Sequence, residues 1–335
     1  MALELLSLHE QGWDEAIGVY NGEPYSENAY LQAMSSLEGG LPVVAKGSGD
    51  GWEATYVFLL FAVGNQWTMV RTSEYGGPII RCNGRFSDPE RATLEFRAQL
   101  DEHFLAEGVI EEVTMLSPWL PHGDVIARTW GCESEKRICL VSLAELEQKW
   151  KTLSKGRRSD INRARRESMI EIQPYCEADV GRFSAHYDEA MDRLDARDRW
   201  RFDKSYFSCI ADRLEDRLVL VTAEGSDGGA GALFLRSEHH AAYFLAARWG
   251  DQIGTPSLVL WEGLQHLREQ GVEEVLLGGG ATSREDDSLL NFKSSFATTQ
   301  SWLALGGRIY RPEQVDIAVA GGFLRTPPKS TRVVI

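Results

Sequence analysis

Apolar and polar positions along this chain follow two rhythms. Short apolar runs bounded by glycine, proline, asparagine or aspartate predict strands over residues 42–45, 54–63, 67–72, 110–116 and 137–141, with an Asn65 turn joining two of them. The same signal returns over 169–173, 218–223, 230–236, 241–247, 272–277, 302–305 and 308–310. A period of 3.6 predicts helices between them. Met1 to about Leu41 reads as helical, with Trp13, Ile17 and Tyr20 at helical spacing and a second segment around residues 30–34. Residues 88–107 form a helix with Asp88 as cap, Pro89 in the first turn and Leu94, Ala98 and Leu105 on the inner face. Residues 178–194 and 203–215 are helical, and Thr255 is expected to cap a further helix whose inner stripe is Leu258, Trp261, Leu264 and Leu267. Helix, antiparallel-looking strands, helix and strand thus occur once before and once after about residue 148, a repeat of architecture without obvious sequence identity.

Within that pattern one stretch carries candidate chemistry. The strand over 272–277 ends in Gly278-Gly279-Gly280, where the chain can turn freely and bring its backbone close to a ligand. An acidic loop over 283–287 leads into a helix over 288–297, with Ser288 as the expected N-cap. Leu289, Phe292 and Phe296 are expected on one face of it and Lys293 beside that face. A lysine leaning over a glycine turn suits an anionic oxygen or a phosphate; the pattern also describes an ordinary turn with a solvated lysine.

Charge sharpens the picture. The chain of 335 residues carries a formal charge of −15, which argues against unspecific coating of nucleic acid. Yet residues 149–166 hold eight cations against one acid, Asp160. Such a run is either a solvated helix face or a phosphate-binding patch, with Lys155, Arg157, Arg158, Arg163, Arg165 and Arg166 as the candidates for contact with RNA. The five cysteines are scattered and odd in number, which predicts reduced thiols, and the seven histidines show no metal-ligand spacing. No apolar run reaches the length of a membrane span and the N-terminus lacks a signal-peptide pattern, so a cytoplasmic monomer is expected.

The order of elements in the second half, with a helix between two late strands, is similar to that of the GNAT superfamily of acyltransferases. Motifs narrow the likeness: Tyr75-Gly76-Gly77-Pro78, the loop Ser117-Pro118-Trp119-Leu120-Pro121, and Trp150 followed by Arg158, Ile161, Arg163, Ala164 and Arg165. Thr255-Pro256 with Trp261-Glu262, Gly271, Leu277-Gly278-Gly279 and Phe292-Lys293 with Phe296 complete the series. In this order, over roughly residues 20–300, the chain resembles the Fem-type (FemABX) aminoacyltransferases, which build peptide bridges of the bacterial cell wall, and the acyltransferases related to them. The resemblance implies an α/β chain with mixed sheets, organised as two tandem GNAT-like domains with a cleft between them. They would span residues 1–148 and 149–310, the second carrying the donor site and residues 311–335 crossing back onto the first. It implies transfer of an amino acid from aminoacyl-tRNA, as co-substrate, to a small amine or peptide acceptor, with no metal and no cofactor. By that likeness Lys293 lies near the donor or the developing negative charge. The chain lacks a long helical-hairpin arm and so is similar to compact members acting on soluble, nucleotide-linked precursors. Lys46 and Arg201 are the nearest matches to their nucleotide-binding residues, at departing spacing, and Tyr75 joins them as an acceptor candidate.

Two reaction classes follow. In the first, an amine attacks the ester of an aminoacyl-tRNA, with Lys293 and Tyr243 as catalytic candidates and Arg248, Gly278, Gly279, Gly280 and Phe292 about the donor. In the second, the donor is an acyl-CoA, whose pyrophosphate needs backbone N–H groups at a glycine-rich helix start. Residues 248–256 hold two glycines at another spacing, and Pro256 has no N–H to give. A binding module that kept the fold without catalysis is the third alternative. Each candidate also has a plain reading: Tyr243 as core, the 75–78 segment as a tight turn, Glu262 as the partner of a neighbour and His186 as a helix residue without a convergent partner.

Overall fold

The chain enters its fold through a strand and not through the helix expected there. The computed structural model describes residues 3–64, 67–83, 88–282, 284, 286–320 and 333–334, so Asn65 of the expected hairpin turn, Ser283 and Glu285 of the acidic loop, and most of the tail after residue 320 lie outside it. β1 (Glu4–Ser7) pairs antiparallel with β2 (Leu41–Gly49). β1 buries only Leu6, and its ladder partner is far away in sequence, so no local pattern announces it. The helical spacing of Trp13 and Ile17 belongs to α1 (Trp13–Ile17), and α2 (Asn28–Glu38) is the second expected segment.

Two compact units divide the chain, Met1–Lys136 with Trp302–Ile335, and Arg137–Ser301. In the first, β2, β3 (Trp52–Val63) and β4 (Trp67–Arg71) form an antiparallel ladder, with β5 (Ile79–Cys82) beside the start of β3. α3 (Pro89–Ala106) then crosses over to β6 (Val109–Met115), which pairs parallel to β4. Asp88 caps α3 as expected, accepting from the N–H groups of Glu90 and Arg91. The buried face differs: Ala92, Phe96, Leu100 and Phe104 point inward, whereas Leu94 is 54% exposed, Leu105 is exposed and Ala98 faces solvent. The aromatic row one helical turn apart carries more apolar area than the leucine row, at about 1.5–3 kcal/mol per buried large side chain, and it decides which way the helix rolls. Arg97 goes in with it. Its guanidinium donates to Glu112 (2.6 Å) and Asp101 (2.9 and 2.5 Å), bonds the Tyr310 hydroxyl and lies 4.8 Å over the Trp130 ring. The loop over residues 117–121 leads into α4 (Gly123–Thr129), a short helix without a periodic signature.

The second unit repeats this plan. β7 (Glu133–Ser142) brings the chain in, α5 (Leu146–Thr152) and α6 (Lys155–Glu167) follow, and β8 (Met169–Pro174) starts a second ladder. After α7 (Glu177–Arg193) and α8 (Lys204–Leu214), the ladder continues through β9 (Leu218–Gly225), β10 (Gly228–Arg236) and β11 (His240–Gly250), each antiparallel to the one before. α9 (Thr255–Glu269) crosses over to β12 (Glu274–Gly279), parallel to β11, and β7 pairs antiparallel along β12. α10 (Ser288–Phe296) and β13 (Thr299–Ile309) close the series. From Trp302 the chain belongs again to the first unit, where residues 305–309 of β13 pair antiparallel with β6, and Val315 and Ala318 of α11 (Pro312–Ala320) pack with Val63 and Ile110. Leu258, Leu264 and Leu267 of α9 join Ile161 and Ala164 of α6 in the core, so the basic helix has a thin apolar face that is buried. Among the described residues no helix is long and apolar enough to cross a membrane.

Candidate functional site

The site in the second unit is a fork in the sheet. β11 and β12 pair only at His240–Glu274, Ala241–Val275 and Ala242–Leu276, and β11 bulges just beyond, between the Leu233 and Phe234 register positions of β10. A bulge bends its strand and breaks the ladder. Past Ala242 the two strands therefore part. Tyr243 stands at the fork on one side and Leu277 to Gly279 on the other.

Glycine is required at two of the three turn positions. Gly278 has φ +75°, and a Cβ on Gly280 would lie 2.5 Å from Asp287 Oδ1. That carboxylate, not Ser288, caps α10: Asp287 accepts from Leu290 N at 2.9 Å and from Thr282 N and Oγ1 at 2.9 Å. Burial raises its pKa, but the hydrogen bonds from Leu290, Thr282 and Ala281 outweigh this and hold it below the usual aspartate range. With Asp287 at the cap, the inward residues of α10 are Leu290 and Phe296, while Leu289 is exposed and Phe292 half-buried.

Lys293 follows from this rotation. Its Nζ donates to the Gly279 carbonyl at 3.0 Å and lies 5.9 Å from the centre of the Tyr243 ring. Two expected catalytic residues and the glycine turn are thus brought together. The Tyr243 ring packs on Phe234, and burial holds its hydroxyl well above the usual tyrosine range, so it is a hydrogen-bond donor at neutral pH and not a base. Sequence reasoning missed the groups behind the lysine. Cys139 on β7 lies opposite Gly278 with its Sγ 3.4 Å from Ser294 Oγ, and Lys149 Nζ donates to the Ala297 carbonyl at 2.5 Å. Burial lowers the Lys149 ammonium and raises the Cys139 thiol.

α6 packs over the first turn of α9. Gly254, at φ +84°, lies against the Asp160 backbone so closely that a Cβ would meet its carbonyl oxygen at 2.5 Å. Arg157 Nη1 donates to Ser257 Oγ at 2.8 Å and Gln252 Nε2 to Glu167 at 3.2 Å. The expected cap is also different, because Thr255 is the first helical residue and turns its hydroxyl to the Gln252 carbonyl at 3.2 Å. The start of α9, where a pyrophosphate would need open N–H groups, is covered by α6 in addition to carrying Pro256.

The basic candidates separate by partner. Arg157 points inward, over the rings of Phe292 (5.3 Å) and Phe296 (5.6 Å). Arg163 pairs with Glu167 at 3.0 Å, and Arg165 makes two bonds to Glu262 (3.0 and 2.5 Å), so Glu262 has its partner on another helix. Lys155 and Arg166 are exposed and Arg158 half-buried, and none of these three has an acidic partner among the described residues.

The remaining candidates lie elsewhere. Arg248 stands five residues beyond Tyr243, roughly 16 Å along the strand, and reaches Asp251 at 3.8 Å. Arg201 bonds Asp192 (2.5 Å) and the Ala196 carbonyl (3.0 Å) between α7 and α8. His186 stacks on Trp249 at 4.1 Å. In the first unit, Lys46 lies 3.5 Å from Glu4, and Tyr75 packs on Tyr25 at 5.4 Å with its hydroxyl raised by burial. There the two loop motifs converge, since Ser117 N donates to the Gly76 carbonyl at 2.7 Å and Ser117 Oγ to Glu23 at 2.7 Å. Burial pushes the Glu23 carboxyl up to about 7.

By sequence, no protein-family model and no curated protein matches the chain. Solved structures do. FemX is similar with a TM-score of 0.67 at 13% identity, over 94% of this chain and 99% of that one. The structure of L-PGS from Bacillus licheniformis is similar with a TM-score of 0.53 at 15% identity, over 95% of this chain and 98% of that one. The C-terminal domain of a putative lysylphosphatidylglycerol synthetase from Agrobacterium fabrum follows with a TM-score of 0.52 at 15% identity, over 87% and 89%. The repeated ladder with its parallel crossover strand, together with these likenesses, shows that the chain shares the mixed α/β fold of FemX.

Proposed function

We propose that this protein is an aminoacyltransferase that takes an amino acid from aminoacyl-tRNA and joins it to the amine of a small soluble acceptor, a cell-wall peptide precursor or a peptide natural product. The observation that supports this reading is the parting of β11 and β12 beside Lys293 together with an α9 start packed against α6, where a pyrophosphate would need open N–H groups. The likeness to FemX and to a protein named for lysylphosphatidylglycerol synthesis supports the same class of transfer.

The acceptor nitrogen attacks the ester carbonyl carbon, a C–N bond forms and the carbonyl oxygen becomes an oxyanion. Collapse breaks the C–O bond to the ribose, which leaves as an alcohol after taking up a proton, and the new amide nitrogen gives up its own. The reaction needs orientation and charge stabilisation more than a covalent nucleophile. Lys293 supplies the charge, Tyr243 a neutral donor, and Gly278 to Gly280 together with Phe292 the walls of the donor site. Lys155, Arg158 and Arg166 meet RNA phosphates, where contacts give affinity and salt dependence. Lys46, Tyr75 and Arg201 serve the acceptor, and Arg248 the donor. The protein works without a cofactor, as a monomer in the cytoplasm.

The test is to offer labelled aminoacyl-tRNAs and acyl-CoAs separately, with a mixture of amines, and to follow donor consumption. Consumption of aminoacyl-tRNA alone is the expected result. Turnover of an acyl-CoA, or acetyl-CoA binding at about 10 μM, near −7 kcal/mol, would replace the proposal with an acyl-CoA-dependent N-acyltransferase.

A further inference from the structure

Seven basic residues besides Lys149 crowd residues 149–166, and one of them is built into the protein differently from the rest. Ser154 caps α6 and accepts from Arg157 N at 3.1 Å, which places Arg157 in the first turn with a fixed backbone. From there its side chain runs inward. The guanidinium donates in its own plane to Ser257 Oγ at 2.8 Å, and Ser257 is itself only 2% exposed. Its central carbon lies over Phe292 and Phe296, 5.3 and 5.6 Å from their ring centres, which are 5.4 Å apart. Arginine can do both at once because it is planar, so one group can bond through its edge and stack through its face. A lysine ammonium in that place offers a point charge and no plane.

Phe292 is the chain neighbour of Lys293, and Phe296 lies one turn further along the same nine-residue helix. Three anchors set the rotation of α10: the Asp287 cap at its start, the Lys149 bond to the Ala297 carbonyl at its end, and the arginine between them. We infer that Arg157 is a positioning residue, a brace between α9 and α10 that holds the Phe292-Lys293 pair at the fork, and not one of the RNA-contacting cations. The inference rests on the proposed transfer reaction only in its kinetic readout. Loss of the brace removes the cation beside Phe292, which is only half-buried against the core, and lets Lys293 move with it. A displacement of about 1 Å at a reacting centre is enough to cost on the order of 100-fold in rate.

The experiment compares Arg157→Lys, Arg157→Leu and Arg158→Ala with the wild-type protein, each first checked for cooperative melting. For a brace, Arg157→Lys keeps the charge but loses the plane, so kcat falls about tenfold or more while KM for aminoacyl-tRNA and its salt slope stay within twofold of wild type. Arg157→Leu falls at least as far. Arg158→Ala, a phosphate contact, raises KM and reduces the salt slope by about 1. Wild-type kinetics in Arg157→Lys, or an Arg157→Leu that reproduces the Arg158→Ala pattern, would overturn the inference. A second readout needs no turnover: the rate at which the Lys293 amine is labelled by a small acylating reagent, read by mass spectrometry. It is expected to change several-fold in Arg157→Lys, and an unchanged rate counts against the brace. If wild-type protein consumes no aminoacyl-tRNA, the proposed function fails by itself and labelling alone judges Arg157.

Discussion

Replacing Lys293 by methionine separates chemistry from folding at the fork. Methionine keeps most of the unbranched stem and its packing, and removes the ammonium. The structural loss includes a hydrogen bond to the Gly279 carbonyl at 3.0 Å and a cation–π contact at 5.9 Å. Such a bond contributes about 1 kcal/mol net, and a cooperative unit of this size then melts about 2–4 °C lower. Under the proposed function the expected catalytic loss is larger. Removing one preformed donor to an oxyanion costs about 10²–10³ in kcat, or about 2.7–4 kcal/mol. The informative quantity is therefore the gap between the two effects. Single-turnover transfer from aminoacyl-tRNA, measured beside thermal melting, reads both on the same sample. A variant that melts a few degrees lower but transfers at wild-type rate would refute the reasoning and make Lys293 a clamp on the Gly278–Gly279 turn. A variant that loses cooperative melting would do so as well, since the lysine would then be part of the core.

Two further expectations concern the first unit. Glu23 has a folded pKa of about 7 against an ordinary 4.5, because burial favours its neutral form. Its contribution to stability is complete below the unfolded value, is lost as pH rises from 4.5 through about 7, and changes little above that. Glu23→Gln should therefore stabilise the unit by up to about 3 kcal/mol at pH 8 and by nothing near pH 4; a Glu23→Gln protein that melts lower at pH 8 contradicts this. Arg97→Met leaves Glu112, with no solvent exposure, without its cation, for a loss of about 3–5 kcal/mol. Adding Glu112→Gln should restore part of it, and a double variant as unstable as the single one in denaturant would place the cost elsewhere.

The local chemistry of the chain determined a good deal. Asp88 followed by Pro89 placed the start of α3, because capping and a fixed φ act within a few residues. The order of β9, β10 and β11 was legible, since turns between apolar runs are local signals. The architectural repeat was visible too, and with it the fold implied by resemblance. What failed locally failed for a reason of range. β1 is a strand only because residues 43–46 lie beside it. The roll of α3 was decided by which row of side chains met the sheet, and Leu94 lost to Phe96. The cap of α10 moved from Ser288 to Asp287, whose second oxygen also ties back to Thr282. At the site, the sequence could point to Lys293 beside three glycines, but only the tertiary structure set its ammonium on Gly279 and Tyr243. It likewise sorted the basic run, which looks uniform in one dimension. Arg163 and Arg165 are neutralised by Glu167 and Glu262, Arg157 is turned inward, and Lys155, Arg158 and Arg166 keep their charge. Charge along a chain is a local property, whereas the charge a ligand meets depends on which neighbours folding brings within bonding distance.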